Sequence, residues 1–220
     1  MVSSLARHAA IYPLALALLA VICTVCLPGI AFESSLVQDP VQSVQVVLAV
    51  FVPASLTLSG LLLRSVQRPR LPFPLLFFRG LSGLVAGTAA FHVIAILFGA
   101  PINILVGRTF VWAAIQAALV TMPACQALGF DGDKWRRCFA RSEFRGPAET
   151  LICAPALASV AGSWAGAIPI PLDWDRPWQA WPVTCIVGAL VGYATGAIVA
   201  AAIVLHAGQV AEDGARNKRM

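Results

Sequence analysis

Charged residues are scarce in this 220-residue sequence. Asp, Glu, Lys and Arg make up 11% of it, whereas soluble domains carry about 25%. Hydrophobic residues make up 59%, and the mean hydropathy is +0.83. This balance excludes a soluble globular domain. The stretches between the apolar runs are all shorter than the roughly 50 residues that an independent domain usually needs. A soluble catalytic domain is therefore excluded as well.

Catalytic signatures are also missing. The sequence has no Gly-x-Ser-x-Gly motif, no P-loop, no His-Glu-x-x-His motif and no cluster of carboxylates. We therefore predict no cofactor. The net charge of +5 comes from basic residues spread over short loops. Because they are not gathered on one face, they argue against a nucleic-acid partner.

The cysteines do not form the pattern of a disulfide-stabilised secreted domain, because five of the six lie within apolar runs. The spacing of Cys23 and Cys26 is also that of a redox or metal-binding pair, but neither cysteine has a His or carboxylate nearby. We predict that the cysteines are buried thiols that pack inside the protein. They are Cys23, Cys26, Cys125, Cys138, Cys153 and Cys185.

Long apolar runs dominate the sequence, and each is close to the roughly 20 residues that cross a bilayer. The first is too long for the core of a cleavable signal peptide, so we expect it to be retained. An Arg- and Pro-rich connector before the third is expected to break any helix. We predict an all-α, polytopic membrane helix bundle with six spans in a single transmembrane domain, residues 1–220. The spans lie near 9–32, 44–63, 80–98, 109–128, 150–168 and 182–206.

The basic residues predict the orientation of these spans, because Lys and Arg are enriched in cytoplasmic loops. Thirteen of the 15 Lys and Arg residues fall in the amino-terminal head, the second-to-third loop, the fourth-to-fifth loop and the carboxyl-terminal tail. Only Arg108 and Arg176 fall on the opposite side. Both termini are therefore predicted to be cytosolic.

Three spans carry glycines four residues apart, the spacing that lets membrane helices approach closely. Glycine is also common in membrane helices for general reasons, so any single pair is weak evidence. We predict tight helix packing, with a partner either in this chain or in another. The glycines are Gly83, Gly87, Gly162, Gly166, Gly188, Gly192 and Gly196.

The connection between the fifth and sixth spans has an unusual composition. Four of the six tryptophans lie between Ser163 and Pro182, and the prolines stiffen the backbone. We predict a rigid loop that binds a partner domain or a lipid headgroup. The alternative is an ordinary aromatic belt with a solvated ion pair among its charged residues. The candidate residues are Asp173, Trp174, Asp175, Arg176, Pro177, Trp178 and Trp181.

His92 is an ionisable residue inside the third span, which makes it a candidate functional residue. Gly99 and Pro101 follow it closely and belong to the same candidate interface with a partner or lipid. A hydrogen-bonded structural histidine is the simpler interpretation. A metal site or general base formed with Asp173 and Asp175 is a further alternative, although one His and two carboxylates fall short of the usual ligand sets.

Charged residues near the ends of the spans have simpler interpretations. Arg108 and Glu149 can extend to the membrane interface at little cost, so we assign them no special role. The basic loop from Lys134 to Arg145 is interpreted mainly as a determinant of topology, with weak attraction to anionic lipids.

Two stretches of the sequence resemble the Pig-F family, whose members are small polytopic proteins of glycosylphosphatidylinositol (GPI) anchor assembly. The first is Phe91-His-Val-Ile followed by Phe98-Gly-Ala-Pro101. The second runs from Gly162 to Gly196 and contains Ile168-Pro-Ile-Pro-Leu-Asp-Trp-Asp-Arg-Pro-Trp178. The second stretch covers about 35 residues of unusual composition, whereas the first two spans resemble the family only in hydropathy.

The resemblance implies a noncatalytic subunit of a GPI ethanolamine-phosphate transferase in the endoplasmic reticulum membrane. Such a subunit stabilises a large catalytic subunit, which adds phosphoethanolamine to mannose of the GPI precursor. Our hypothesis is that glycine faces pack against helices of the transferase while the loop from Asp173 to Trp178 supports its lumenal side.

Two other functions remain open at the level of sequence. The first is a lipid-handling protein that binds or presents phosphatidylethanolamine or the GPI precursor, with His92 and Pro101 lining a cavity. The second is an enzyme in its own right, which requires His92, Asp173 and Asp175 to lie together.

Overall fold

The computed structural model describes residues 2–32, 36–67 and 70–217, and in the first helix it describes the side chains of residues 9–24. Arg68, Lys218 and Arg219, which contribute to the predicted orientation, lie outside the described residues, as do the side chains of Arg7 and Cys26. The described residues form helices, turns and loops, without strands. The α-helices are α1 (Val2–Phe32), α2 (Pro40–Val66), α3 (Phe73–Leu97), α4 (Val106–Leu119), α5 (Thr121–Leu128), α6 (Gly132–Trp135), α7 (Pro147–Ala167) and α8 (Val183–Asn217).

The predicted class of fold, an all-α membrane bundle, is confirmed. Within the described residues, α2, α3, the α4–α5 pair, α7 and α8 are each long and apolar enough to cross a membrane. Helix α1 contributes a shorter apolar stretch, Ala9–Thr24. Helices α7 and α8 pack together along their length, and α1 packs against α2 and α8.

Several helices extend beyond the predicted spans. Helix α3 begins at Phe73 rather than near Gly80, because Pro72 precedes it and Pro74 lies in its first turn, where the missing N–H is not needed. Helix α8 continues to Asn217. Its 35 residues give it a length of about 52 Å, well beyond the roughly 30 Å of a hydrocarbon core.

The fourth span forms the centre of the bundle and is almost entirely buried. It is broken at Val120, where α4 ends and α5 begins. Pro123 has no backbone N–H to donate to Leu119, four residues earlier, which accounts for a break at this point. Ile115, Leu119 and Met122 are fully buried here and form part of the main core.

The two ends of the bundle differ in character. The basic end carries the end of α2, the start of α3 and the connection at 129–146. Gln67, which follows α2, donates from Nε2 to the Ala127 carbonyl at 3.4 Å. The aromatic end carries the connections at 98–105 and 168–182, where the rings of Phe98 and Trp164 lie 4.6 Å apart. Arg108 and Arg176 lie at the aromatic end, as the predicted alternation of loops requires.

Candidate partner-binding loop

The α7–α8 loop at the aromatic end is organised around one buried amide. Gln179 Nε2 donates to the carbonyls of Pro169 and Leu172, both at 2.8 Å. Its Oε1 accepts from the backbone N–H of Arg176 at 2.9 Å. Only 7% of Gln179 is exposed. A single side chain therefore holds the loop at three points. A glutamine at this position of the sequence does not by itself indicate this role.

The tip of the loop, residues Asp173–Trp178, points outward. All six residues are exposed, and the rings of Trp174 and Trp178 lie 5.9 Å apart and tilted. Trp174 is 54% exposed. Asp175 has a φ of 48°, in the left-handed region that non-glycine residues seldom adopt. Such backbone strain persists only where the surrounding structure holds it.

The three charged residues of the tip do not pair with one another. Asp173, Asp175 and Arg176 form no ion pair among themselves, although the aromatic-belt interpretation expected one. The tip therefore presents two negative charges, one positive charge and two indole rings to its surroundings.

Trp181 behaves differently from the tryptophans of the tip. It is half-buried, and its ring packs 5.4 Å from that of Trp112. Its Nε1 donates to Thr109 Oγ1 at 3.2 Å, and Arg108 Nη1 donates to its carbonyl oxygen at 3.3 Å. Trp112 Nε1 in turn donates to Ser163 Oγ at 3.1 Å. The base of the loop is thus fixed to the start of α4 and to α7.

Arg108 therefore has a role that was not predicted from the sequence. We expected an arginine that simply extends to the membrane interface. Its hydrogen bond to Trp181 instead connects residues 73 positions apart in the chain.

His92 does not join the loop. It lies on α3 and lines a cavity of about 640 Å³ between α2, α3 and α4. Its Nδ1 is buried without a hydrogen-bond partner. Gly99, with a φ of 100°, and Pro101 lie in the α3–α4 connection, outside the lining of this cavity. Within the described residues, no group of three or more His, Cys, Asp or Glu is placed to hold a metal, so His92, Asp173 and Asp175 form no such group.

The glycines of α7 and α8 face one another. A Cβ atom on Gly162 would collide with the carbonyl of Gly188, and one on Gly188 would collide with the carbonyl of Gly162. A Cβ on Gly166 would collide with the Thr184 carbonyl and one on Gly192 with the Ala158 carbonyl, while one on Gly196 would meet the Ala158 methyl group. On α3, Gly83 and Gly87 contact the start of α5, where Thr121 Oγ1 donates to the Gly83 carbonyl at 2.8 Å. All seven glycines therefore make close contacts within this chain.

The basic end is tied together by local polar contacts. Arg137 donates two hydrogen bonds of 2.8 Å to Glu149, one from each terminal nitrogen. Hydrogen bonding to Glu149 raises the pKa of Arg137 above its ordinary value. Glu149 also accepts from the backbone N–H of Arg145 at 2.5 Å, so it is more than the interfacial residue that we expected.

Two other cations of this loop are matched by neighbouring aspartates. Lys134 lies 3.5 Å from Asp131, and Arg136 lies 2.9 Å from Asp133. The backbone N–H of Lys134 lowers the pKa of Asp131. These pairs reduce the positive charge that the loop offers to anionic lipids.

The described cysteine side chains are all buried, and none of them forms a disulfide. They are Cys23, Cys125, Cys138, Cys153 and Cys185, so the prediction of buried thiols is confirmed for these five.

Taken together, the spans and the loop define a polytopic helical membrane protein that displays a fixed aromatic and charged loop at one end. Residues 8–201 match the GPI biosynthesis protein family Pig-F, and the chain belongs to this family.

The relatives of this chain carry consistent names. The chain is 41% identical over 110 residues to the human "GPI ethanolamine phosphate transferase, stabilizing subunit". The matched residues make up 50% of each chain. Over 112 residues it is 41% identical to "Glycosylphosphatidylinositol anchor biosynthesis protein 11" of Aspergillus fumigatus, covering 51% of this chain and 36% of that protein. Over 137 residues it is 36% identical to a "PIGF/3-ketodihydrosphingosine reductase fusion protein" of Schizosaccharomyces pombe, covering 61% of this chain and 27% of that protein.

The chain spans about half the length of the first of these relatives. No solved structure matches it.

Proposed function

We propose that this chain is a noncatalytic, stabilising subunit of a GPI ethanolamine-phosphate transferase in the endoplasmic reticulum membrane. The observation that carries the proposal is the exposed tip Asp173–Trp178, held on a fixed base in a chain of the Pig-F family. The names of the relatives supply the class of partner, a catalytic transferase subunit.

The residue types of the tip suit a protein partner. Tryptophan and arginine are enriched among the residues that dominate binding energy at interfaces. Here two tryptophans and Arg176 stand together, and the charges of the tip are left for a partner to complement. An aromatic belt needs no such arrangement, because its rings only have to reach the headgroup region.

The glycine faces do not carry the contact with the transferase in this proposal, which revises our hypothesis from the sequence. A face whose glycines already touch the backbone of a neighbouring helix has no room for a third helix. The contact is therefore assigned to the tip and to the outer faces of the spans. The glycines support it indirectly, because they fix α7 and α8 side by side.

The proposal leaves the phosphoethanolamine transfer to the partner subunit. The role of this chain is to stabilise the partner and to prevent its degradation. Loss of the chain should then lower the amount of the catalytic subunit. We propose the lumenal side for the tip because most Lys and Arg residues lie on the opposite side of the predicted spans, and such residues are enriched in cytoplasmic loops.

Co-purification tests the proposal. The full chain carrying a tag, with Asp173→Ala, Arg176→Ala and Trp178→Ala combined, should recover at least about tenfold less transferase catalytic subunit than the unchanged chain. The half-life of the catalytic subunit should fall as well. All three side chains are exposed, so the fold should tolerate the changes.

A matched control lies at the basic end. Asp133 and Phe130 are exposed there, and Asp133→Ala combined with Phe130→Ala should leave recovery unchanged. Full recovery of the catalytic subunit with the altered tip would refute the proposal. So would equal losses with the tip variant and the control.

A further inference from the structure

The cavity beside His92 combines an apolar lining with one unsatisfied polar atom. Thr88, which also lines it, donates its hydroxyl to the Leu84 carbonyl at 2.8 Å and is satisfied. His92 Nδ1 is buried without a partner, a situation that costs free energy unless something supplies a hydrogen bond. Binding sites for small ligands have this composition: mainly hydrophobic residues with a few placed polar groups.

The cavity opens toward the outside of the bundle. Val85, Ala89, Val93 and Phe110 line it and are exposed at the surface of the spans. Since these helices span a membrane, the medium at this opening is lipid. A ligand of this cavity is therefore a molecule that dissolves in the bilayer.

The length of the cavity matches one leaflet. Its lining on α3 runs from Leu84 to Val93, which is about 14 Å along the helix axis. Half of a hydrocarbon core is about 15 Å. His92 lies five residues before the end of α3 at Leu97, or about 8 Å below the aromatic end. This is close to the boundary between hydrocarbon and headgroups, where the ester groups of glycerolipids lie.

The width of the cavity distinguishes a hydrocarbon chain from a helix. A volume of about 640 Å³ spread over about 14 Å corresponds to a mean cross-section of about 46 Å². A helix with side chains is about 10–12 Å across, or about 80–110 Å². A hydrocarbon chain is about 4–5 Å across, as set by the contact distance between carbon atoms, which gives about 13–20 Å². The cavity is therefore too narrow for a helix but has room for one or two hydrocarbon chains.

We propose that this cavity binds an acyl chain of a glycerolipid from the leaflet at the aromatic end. Its ester carbonyl accepts a hydrogen bond from the His92 imidazole, whose ring turns about χ2 to present an N–H to the cavity. Phosphatidylethanolamine, the GPI precursor and other diacyl lipids share this chemistry, so the site recognises the ester and the chain. The proposal concerns a ligand of this chain alone and does not require a transferase partner.

Photolabelling of the purified full chain in phosphatidylcholine vesicles tests the site. The probe is phosphatidylethanolamine with a diazirine in one acyl chain, and mass spectrometry maps the labelled residues. Labels should concentrate on Val85, Ala89 and Val93 rather than on the exposed residues Val191 and Ile198 of α8. Even labelling of α3 and α8 would show ordinary boundary lipid and overturn the proposal.

A matched pair of variants tests occupancy. Ala89→Phe fills the cavity and should lower labelling at Val85 and Val93 roughly tenfold. Ala90→Phe adds the same ring to an exposed neighbour outside the lining and should leave labelling unchanged. Equal labelling in both variants would contradict a lipid in the cavity.

The hydrogen bond has its own test. His92→Leu should lower labelling by roughly threefold to tenfold, whereas His92→Gln retains a hydrogen-bonding group and should restore most of it. With an ether-linked probe, which lacks the ester carbonyl, His92→Leu should make no further difference. An equal loss with the ester and ether probes would refute the contact with the carbonyl.

The headgroup is tested with probes that carry the same chains on choline, ethanolamine or inositol phosphate. Equal labelling by all three supports recognition of the ester and chain alone. Stronger labelling by one supports the site and identifies its preferred lipid. A crosslinking residue at Val85 in native membranes that captured a protein helix instead of lipid would overturn the assignment.

Discussion

Arg108 at the start of α4 donates a hydrogen bond of 3.3 Å to the carbonyl oxygen of Trp181 at the base of the α7–α8 loop. The adjacent residue, Thr109, accepts from the indole of the same tryptophan. Two neighbouring residues of one helix therefore hold both the backbone and the ring of Trp181. The position of the loop depends on α4 as much as on the helices that it connects.

Thr109→Val tests this connection. Thr109 is fully buried, and without its hydroxyl the Trp181 N–H loses its acceptor. We expect the free energy of unfolding to fall by about 1–3 kcal/mol, measured by denaturant titration in a mild detergent with tryptophan fluorescence. Thr195→Val is the control, because Thr195 is exposed and bonds only within its own helix. Comparable losses in both variants would argue against the connection.

Gly188→Ala tests the α7–α8 contact. The added methyl group would collide with the Gly162 carbonyl, so the helices must separate. We expect a loss of about 1–3 kcal/mol in the free energy of unfolding. Gly214→Ala changes the same helix where the space around the glycine is open, and there alanine should be neutral or stabilising by up to about 1 kcal/mol. Changes of the same sign in both variants would contradict the contact.

The two ion pairs at the basic end are expected to differ in how much they stabilise the fold. Arg137 and Glu149 are 12% and 13% exposed, whereas Arg136 and Asp133 are 66% and 87% exposed. Glu149→Gln should lower the free energy of unfolding clearly more than Asp133→Asn does, because it leaves the Arg137 cation without its counter-charge. Asp133→Asn should change it by less than about 1 kcal/mol. Thermal unfolding at low and high salt measures the effect of each substitution. Equal losses in the two variants would count against a difference between the buried and the exposed pair.

Cys138 should react slowly with maleimide even though it lies in the connection between α5 and α7, outside the membrane-spanning helices. Its side chain is fully buried, and this burial raises the pKa of its thiol, with the nearby Glu149 adding to the effect. Since the thiolate is the reactive form, labelling of Cys138 in the folded chain should be slow at pH 7 and should increase as the pH rises. Ser142→Cys places a thiol at an exposed neighbouring position and should add one fast-reacting group. Rapid labelling of Cys138 in the unchanged chain would contradict its burial.

Apolar length and composition were sufficient to predict the helical bundle, because a bilayer constrains the chain to helices of known length. The ends of the helices were harder to predict. The prolines before α3 look like helix breakers, but Pro74 lies in a first turn where proline is tolerated. The polar end of α8 remains helical beyond the predicted boundary, because polarity determines where a helix leaves the membrane rather than where it ends.

The site was only partly predictable from the sequence. Spacing identifies a glycine face but not the helix that covers it, because that depends on which spans meet. Three tryptophans near one interface also look alike in the sequence. In the structure, Trp174 and Trp178 are exposed while Trp181 turns inward to Thr109, and only the contact across 72 positions of the chain separates them. Gln179 is similar, because its role lies entirely in the carbonyls that the loop brings to it.

The amide of Gln179 has a consequence for how a second protein would associate with the loop. Since three of its hydrogen bonds already fix the turns beneath Asp173–Trp178, the backbone of the tip has little conformational entropy left to lose. Ordering flexible groups at an interface opposes binding by about 0.5–1.5 kcal/mol for each immobilised side chain. In this chain the backbone of the loop is ordered during its own folding, so on binding only the exposed side chains of the tip remain to be ordered. The loop is therefore preorganised, and complex formation would be limited by encounter within the plane of the membrane rather than by rearrangement of the loop.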